Sequence, residues 1–321
     1  MVLTSPEGQG FPLGDGGFSR RAFLGGAVAT LSSLALAACA SPKPAGQVLT
    51  LATGPEGAVF REIGAAYADA VNASWPAGEM RVRDSASSLE NAQLLSAGEV
   101  DAALVNVDVA ADFEGEIVAL ARVFDSVLHL VVPEDSDITD LRGLQGKTIA
   151  GGLELSGTRF TTSAILTELG VEANYVSLSQ ADSVAALAGG AVEAAASLTG
   201  MPTPAISDIG AGQRVRFIDL GVNAEQLINR FSLVYFPVTI PSTMYEGLQS
   251  ATTLAVPTVL AVRPGMADAL ADFLTDCLFS NADALSHVRP EAGQVNPRTG
   301  AGTTPIALHP GAAGWFRANK P

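Results

Sequence analysis

The feature that most constrains the fold of this chain is a pattern that occurs twice in the same order. LLSAGEVDAA at 94–103 and ALAGGAVEAA at 186–195 both read as a helix end, a glycine stop and a strand that opens with valine, an acid and two alanines. Before each lies a glycine-rich turn that opens a helix, TGPEGAVF at 53–60 and GGLELSGTRF at 151–160. The repeated order predicts two similar lobes that face a shared cleft. Chance similarity in a sequence rich in alanine and glycine is the alternative.

Short apolar runs alternate with longer helical patterns after residue 47. Strands are predicted over 48–53, 80–85, 101–107, 147–152, 192–200, 215–220 and 256–263, with helices over 58–73 and 89–98 among the intervening segments. This alternation is typical of an α/β protein whose sheets are mostly parallel. Because ligands bind such sheets at the carboxyl ends of the strands, a site is expected there.

The N-terminal region carries the features of an export signal. Arg20 and Arg21 lie in SRRAFL, which fits the twin-arginine pattern, and an uncharged apolar run follows from residue 24 to 38. That run is shorter than the roughly 20 residues that span a bilayer, so residues 1–38 are predicted to be a signal peptide. LAAC ends at Cys39, which is predicted to carry lipid, and 39–47 includes a Pro/Gly linker. The protein is therefore predicted to be extracytoplasmic and lipid-anchored to the cell membrane; an uncleaved anchor helix is the alternative.

Composition narrows the possible partners. The formal net charge of −15 argues against nucleic acid and anionic lipid surfaces. Cys39 and Cys277 are the only cysteines, so lipidation of Cys39 leaves no internal disulfide, and Cys277 lies in a helical pattern typical of a buried thiol. His129, His287 and His309 have no ligand-like spacing, so neither a metal site nor a cofactor is expected.

Helix starts in both lobes supply candidate ligand contacts, because their first N–H groups lack partners and carry the positive end of the helix dipole. Glycines, hydroxyls and one cation, Arg159, add contacts suited to a carboxylate. The candidate residues are Gly54, Gly57, Phe60, Ser87, Ser88, Asn91, Asn106, Ser156, Gly157, Thr158, Arg159, Thr199, Pro202 and Thr203. Two alternatives stay open: Ser87 and Glu90 have the spacing of a helix-capping box, and Arg159 can lie on a solvated helix face.

Several stretches, in this order along the chain, resemble the TAXI family, the TRAP-associated extracytoplasmic solute receptors. They are TGPEGAVFREIG, SSLENAQLLSAGEVDAALVNVDVA, DLRGLQGKTIAGG, SGTRFTTSAILTELG, TGMPTPAI, PVTIPSTMY, AVPTVLAVR and LHPGAAGWF. The resemblance implies a two-lobed, type II periplasmic-binding-protein fold with a hinge and an interlobe cleft. It places residues 48–127 and 251–321 in lobe one, 134–250 in lobe two, and the hinge-crossing strands at 128–133 and 256–263.

The same resemblance implies a function. The ligand would be a small organic acid or amino acid, with glutamate-like dicarboxylates the family's usual association, bound by lobe closure. The partner would be a two-part TRAP-type permease that uses an ion gradient rather than ATP. The family usually carries paired tyrosines after the first glycine turn, where this chain has Val59 and Phe60. The missing hydroxyls predict a more apolar pocket and leave room for a different acid.

Two other functional classes have less support. The catalytic patterns G-x-S-x-G, S-x-x-K and H-E-x-x-H do not occur in the sequence, so an enzyme is not expected. A ligand-sensing lipoprotein that signals through a membrane sensor would have the same binding chemistry and is the alternative to a transport receptor. A neighbouring fused permease gene would favour transport, and a neighbouring sensor-kinase gene would favour signalling.

Overall fold

A computed structural model describes residues 44–207, 214–231 and 233–319. The predicted export and lipidation residues, Arg20, Arg21 and Cys39, lie outside these ranges. The strands are β1 Val48–Ala52, β2 Glu79–Arg83, β3 Ala102–Asn106, β4 Val118–Pro133, β5 Thr148–Ala150, β6 Asn174–Val176, β7 Ala194–Thr199, β8 Val215–Phe217, β9 Phe236–Ile240 and β10 Ala251–Val262.

The helices lie between these strands and after the last one. They are α1 Val59–Ser74, α2 Ser88–Ser96, α3 Val107–Ala111, α4 Gly157–Glu168, α5 Gln180–Ala188, α6 Pro204–Ser207, α7 Gly221–Arg230, α8 Asp268–Ser280, α9 Ala282–Val288, α10 Pro297–Gly300 and α11 Pro310–Ala318. Short 3₁₀ turns occur at Leu141–Leu144 and Pro290–Gln294. Within the described ranges, no helix combines the length and apolar character needed to cross a membrane.

The strands form one sheet in the order β2-β1-β3-β10-β4-β7-β5-β6, with β8 paired to β4 and β9 paired to β10. In the first lobe, β1 lies parallel between β2 and β3, and β3 is followed by antiparallel β10. In the second lobe, β5 lies parallel between β6 and β7, and β7 is followed by antiparallel β4. The predicted two-lobed α/β fold of type II is confirmed, and the two lobes share one strand order.

Each lobe buries apolar side chains on both faces of its part of the sheet, as expected for parallel strands covered by helices. On one face of the first lobe, α1, α8 and α11 pack through side chains such as Ile63, Leu274 and Trp315, and Cys277 is buried with them. In the second lobe, Leu144 and Ile165 lie in the core on one face of the sheet. Burial of this apolar surface is the main stabilising contribution to both lobes.

The strands that connect the lobes are longer than the sequence predicted. The strand expected over 128–133 begins at Val118, and the strand expected over 256–263 begins at Ala251. Arg122 and Asp125 interrupt the apolar pattern of β4, but their side chains pair with each other at 2.5 Å, so the strand continues past them. β4 and β10 pair with each other and also with strands of both lobes, which makes them the connection between the two halves.

The repeated sequence pattern has the same structural role in both lobes. The carboxylate of Asp101 accepts a hydrogen bond from the N–H of Thr50 in β1 at 2.8 Å. The carboxylate of Glu193 accepts one from the N–H of Thr148 in β5 at 2.7 Å. Each acid therefore ties the start of the third strand of its lobe to the central strand.

Candidate ligand-binding site

A cavity of about 300 Å³ lies between the lobes, at the carboxyl ends of the parallel strands. The first lobe contributes the turn after β1, the starts of α1 and α2, and the end of β3. The second lobe contributes the loop after β5, the starts of α4, α5 and α6, and the end of β7. The lining residues are Pro55, Glu56, Gly57, Ala58, Val59, Phe60, Ala86, Ser87, Asn106, Gly152, Leu153, Ser156, Gly157, Thr158, Leu178, Ser179, Gln180, Ala181, Leu198, Thr199, Pro204 and Ala205.

The structure brings together eight of the fourteen residues predicted to bind ligand. Those in the lining are Gly57, Phe60, Ser87, Asn106, Ser156, Gly157, Thr158 and Thr199. The other six, Gly54, Ser88, Asn91, Arg159, Pro202 and Thr203, lie outside the lining. The eight include the turn and the strand end of each lobe, so both halves of the repeated pattern meet at one cavity.

Asn106 occupies the end of β3 and is held by both connecting strands. Its side-chain Nδ2 donates to the hydroxyls of Ser126 in β4 and Thr258 in β10, each at 3.0 Å. Its backbone N–H donates to the hydroxyl of Ser88 at 2.8 Å. The side-chain oxygen of Asn106 lies close to the second lobe, because a Cβ placed on Gly157 would come within 2.4 Å of it.

Ser87 lies at the start of α2 but its side chain does not cap the helix. The carboxylate of Glu90 accepts instead from the N–H of Ala86, and the hydroxyl of Ser85 accepts from the N–H of Ser87. Ser87 has a φ of 96° and a ψ of −146°, a region that non-glycine residues rarely adopt. Such strain is concentrated at functional sites, which agrees with the position of Ser87 in the cavity wall.

The second lobe presents two kinds of hydroxyl group to the cavity, those with a hydrogen-bond partner and one without a partner among the described residues. The hydroxyl of Ser156 caps α4 by accepting from the N–H of Arg159 at 3.2 Å, and the hydroxyl of Thr158 accepts from the N–H of Leu198 at 3.0 Å. Thr199, at the end of β7, is only 5% exposed, and its hydroxyl makes no hydrogen bond with the described residues. Thr199 therefore offers an unused polar group to the cavity.

Arg159 points away from the cavity. Its guanidinium carbon lies 4.2 Å from the centroid of the Tyr175 ring, and its Nε has no hydrogen-bond partner among the described residues. Burial lowers the pKa of the guanidinium. On a helix, a residue two positions after Gly157 lies on a different face, so the helical period separates Arg159 from the residues that line the cavity.

A hydrogen-bonded relay that the sequence did not reveal holds the loop before α6. The N–H of Thr203 donates to the Tyr245 hydroxyl at 2.8 Å, and that hydroxyl lies 2.8 Å from Nε2 of His129. Nδ1 of His129 lies 2.9 Å from the carbonyl of Val127, which can only accept, so Nδ1 carries the proton and Nε2 accepts from Tyr245. Burial lowers the pKa of His129 to about 4, which keeps the ring neutral.

A buried acid also connects the lobes. Asp108 in α3 accepts from the hydroxyl of Thr161 in α4 at 2.5 Å and from the hydroxyl of Tyr235, just before β9, at 3.1 Å. Asp108 is 5% exposed, and burial raises its pKa to about 6 in spite of these bonds. The only sequence signal for this acid is its place inside the apolar run VNVDVAA.

Two more contacts join the lobes beside the cavity. The N–H groups of Leu89 and Glu90 both lie 3.2 Å from the carbonyl of Leu155. Gly200, just after β7, packs against Glu291 of the C-terminal segment, and a Cβ there would overlap the Glu291 side chain. Leu155 and Gly200 are the chain neighbours of Ser156 and Thr199, which line the cavity, so both contacts lie next to it.

The electrostatic character of the cavity comes from backbone groups. Among the described residues that line it, Glu56 is the only charged one, and it is exposed. The starts of α1, α4 and α5 place unpaired N–H groups and the positive ends of their dipoles at the cavity. Within the described ranges, no group of three His, Cys, Asp or Glu side chains could hold a metal ion.

Comparison with known proteins gives a family and a fold. Residues 51–318 match the NMT1-like family. The solved structure of XAC2383 from Xanthomonas citri bound to ATP has 17% identity and a TM-score of 0.50, covering 84% of this chain and 94% of that chain. The periplasmic aliphatic sulphonate binding protein SsuA from Escherichia coli has 16% identity and a TM-score of 0.48, covering 86% and 84%. A putative L-cystine ABC transporter protein from Listeria monocytogenes has 14% identity and a TM-score of 0.49, covering 77% and 97%.

Proposed function

We propose that this protein is an extracytoplasmic receptor for a small organic acid or amino acid. The chain belongs to the NMT1-like family and has the two-lobed fold of periplasmic binding proteins, and both support the proposal. The observation that carries this proposal is the cavity between the lobes, lined from both sides at the carboxyl ends of the strands. Helix starts from both lobes favour an acid. The glutamate-like ligand implied by the TAXI resemblance is one candidate within this class.

Lobe closure is the proposed binding motion. The proposed lobes are residues 48–127 with 251–321 and residues 134–250, and the proposed hinge lies where 128–133 and 256–263 cross. A ligand that contacts residues of both lobes binds the closed state more tightly than the open one, so it shifts the population toward closure. The eight predicted residues in the cavity lining are the proposed contacts. The side chains of Ser88 and Asn91 support them by hydrogen bonds to the backbone of neighbouring segments.

Thermal unfolding of the purified protein with single solutes tests the binding proposal. A ligand at about 100 times its dissociation constant stabilises by roughly 2.7 kcal/mol, which is readily measured. Ala86→Trp would place a large side chain in the cavity and should abolish the shift. Ala191→Trp, at an exposed position outside the lining, is the matched control and should keep it. A shift that both variants retain would mean that the solute binds elsewhere.

The proposed partner is a TRAP-type membrane permease, with the receptor held at the membrane by lipid on Cys39. The support for both is the sequence, through the TAXI resemblance and the twin-arginine and lipobox patterns. Uptake of a labelled solute into membrane vesicles that contain the receptor and its permease would test the partner. Uptake that stops when the ion gradient is collapsed and does not need ATP is expected. Uptake driven by ATP would contradict the TRAP assignment, and a ligand-dependent sensor kinase without uptake would favour signalling.

A further inference from the structure

We propose that the ligand of this cavity is an acid with one carboxylate and an apolar body, rather than a dicarboxylate. This inference rests on the proposed function, in which the cavity binds an organic acid. It concerns the charge and the shape of that acid, and three features of the cavity carry it.

The first feature is a place for one carboxylate in the second lobe. Ser156 and Ser179 cap α4 and α5 by accepting from the N–H groups of the third helical residues. The earlier N–H groups of these helices have no partner within the helix, and they begin at the cavity wall. The hydroxyl of Thr199, on a side chain that is 5% exposed, has no hydrogen-bond partner among the described residues and lines the same wall. Together these groups supply several donors for one anion.

The second feature is that the described residues of the cavity lining include no side-chain cation. Glu56 is the only charged residue among them, and Arg159, the cation that the sequence offered, lies over Tyr175 instead. A carboxylate taken out of water without a counter-charge is strongly disfavoured. The helix starts can compensate one such charge, but a second carboxylate would have no cation to meet and would share the cavity with Glu56.

The third feature is the apolar wall that both lobes provide. Val59 and Phe60 line the first-lobe side, and Leu153, Leu178 and Leu198 line the second-lobe side. Phe60 is fixed by an edge-to-face contact with Phe124, with ring centroids 5.9 Å apart. An alkyl chain placed against this wall gains about fourfold in affinity for each buried methylene. The cavity wall therefore favours an acid whose body is apolar.

Isothermal titration with acids of matched length tests this inference. The probes are butanoate, pentanoate and hexanoate, their dicarboxylate counterparts succinate, glutarate and adipate, glutamate, and neutral hexanamide. Affinity is expected to rise about fourfold per methylene toward hexanoate. Hexanoate is expected to bind at least tenfold more tightly than adipate or hexanamide. Tighter binding of a dicarboxylate or of glutamate would overturn the inference and leave the receptor function intact. Silence from every acid and amino acid would count against the proposed function itself.

Three variants distinguish a change in ligand contacts from a general effect on folding. Thr199→Val should weaken hexanoate binding about fivefold, because it removes the unused donor. Thr162→Val makes the same change at a buried hydroxyl that also lacks a partner but lies outside the lining, and it should leave affinity unchanged. Leu178→Arg supplies the missing cation at a half-buried position and should raise the affinity for adipate relative to hexanoate by at least tenfold. An unchanged ratio in Leu178→Arg would contradict the charge argument.

Discussion

The two lobes share a strand order but contribute different chemistry to the cavity. The first lobe supplies a wall with Val59 and Phe60, and its polar residue at the strand end, Asn106, is already bonded to both connecting strands. The second lobe supplies two helix starts with serine caps and, at the equivalent strand end, the hydroxyl of Thr199, which has no partner in the part of the chain that the structure describes. A duplicated scaffold thus fixes where the ligand lies, while the residues at equivalent positions decide what each side recognises.

The largest expected effect comes from blocking the approach of the lobes. A Cβ at Gly157 would lie 2.4 Å from Oδ1 of Asn106 and 3.1 Å from the Cβ of Ser88, both in the first lobe. Gly157→Ala should therefore oppose closure and reduce ligand affinity at least a hundredfold, about 2.7 kcal/mol, measured by titration calorimetry. Gly265→Ala adds a methyl group in open space and is the control. Wild-type affinity in Gly157→Ala would show that ligand binding does not require this contact.

The next-largest expected effect is on the pH dependence of stability, to which two buried groups with opposite pKa shifts contribute. The pKa of Asp108 rises from its ordinary value of 3.8 to about 6, so its contribution to stability is present below pH 4 and is lost as the pH rises through 6. The pKa of His129 falls from 6.5 to about 4, so its contribution is present above pH 6.5 and is lost as the pH falls through 4. In the wild-type protein the two trends oppose each other.

Asp108→Asn should reveal how much Asp108 contributes to the pH dependence of stability. The stability of the wild-type protein relative to this variant is expected to fall by about 2 kcal/mol between pH 4 and pH 7, because only the wild-type protein must ionise a buried carboxyl. Urea unfolding at pH 4.0, 5.5 and 7.0 measures the difference. A difference that does not change with pH would mean that Asp108 titrates near its ordinary value in the folded protein.

A smaller difference is expected between the two acids of the repeated pattern, in the stability that each contributes. Asp101 and Glu193 bond the central strand of their lobes in the same way, but Glu193 is more exposed and also pairs with Lys147 at 3.2 Å. Asp101→Ala should cost about 1–2 kcal/mol in the free energy of unfolding, which is typical for a hydrogen bond to a charged group. Glu193→Ala should cost less, since water can replace its bond. Equal losses by chemical denaturation would contradict this ranking.

The smallest effect is expected at Arg159. Because its guanidinium lies over Tyr175 and outside the cavity lining, Arg159→Ala should change ligand affinity by less than twofold. The loss of the cation–π contact should cost about 0.5 kcal/mol of stability. Arg81→Ala, which removes a surface pair with Glu79, is a control of similar chemistry. A tenfold loss of affinity in Arg159→Ala would restore this residue as a ligand anchor.

The period of apolar residues along the sequence predicted the strands and helices that have a clear buried face. The strand predicted over 48–53 is β1 at Val48–Ala52, and the helix predicted over 58–73 is α1 at Val59–Ser74, because each has a clear apolar period. The long strands β4 and β10 were predicted only in part. The polar residues Arg122 and Asp125 break the apolar pattern of β4, and Thr252 and Thr253 break it at the start of β10, although pairing with other strands continues through both segments.

The candidate site was predictable where its residues mark a turn or a helix start. Glycine, serine and threonine at such positions have distinct local conformational roles, which is why Gly57, Ser156 and Thr158 were predicted. The relay from Thr203 through Tyr245 to His129 had no such signal, because its members lie 42 and 116 positions apart. Only the folded chain brings them together.

By itself, the sequence determined the two-lobed α/β architecture of this protein. Repeated glycine, acid and apolar positions act through local conformation and through strand pairing that recurs in each half. The tertiary structure alone decided which side of each helix start faces the cavity and which polar groups are already bonded. For this reason Arg159 lies outside the cavity lining, Asn106 is bonded to the connecting strands, and the Thr199 hydroxyl has no partner within the described ranges. These outcomes depend on contacts between segments far apart in sequence, and no local pattern records them.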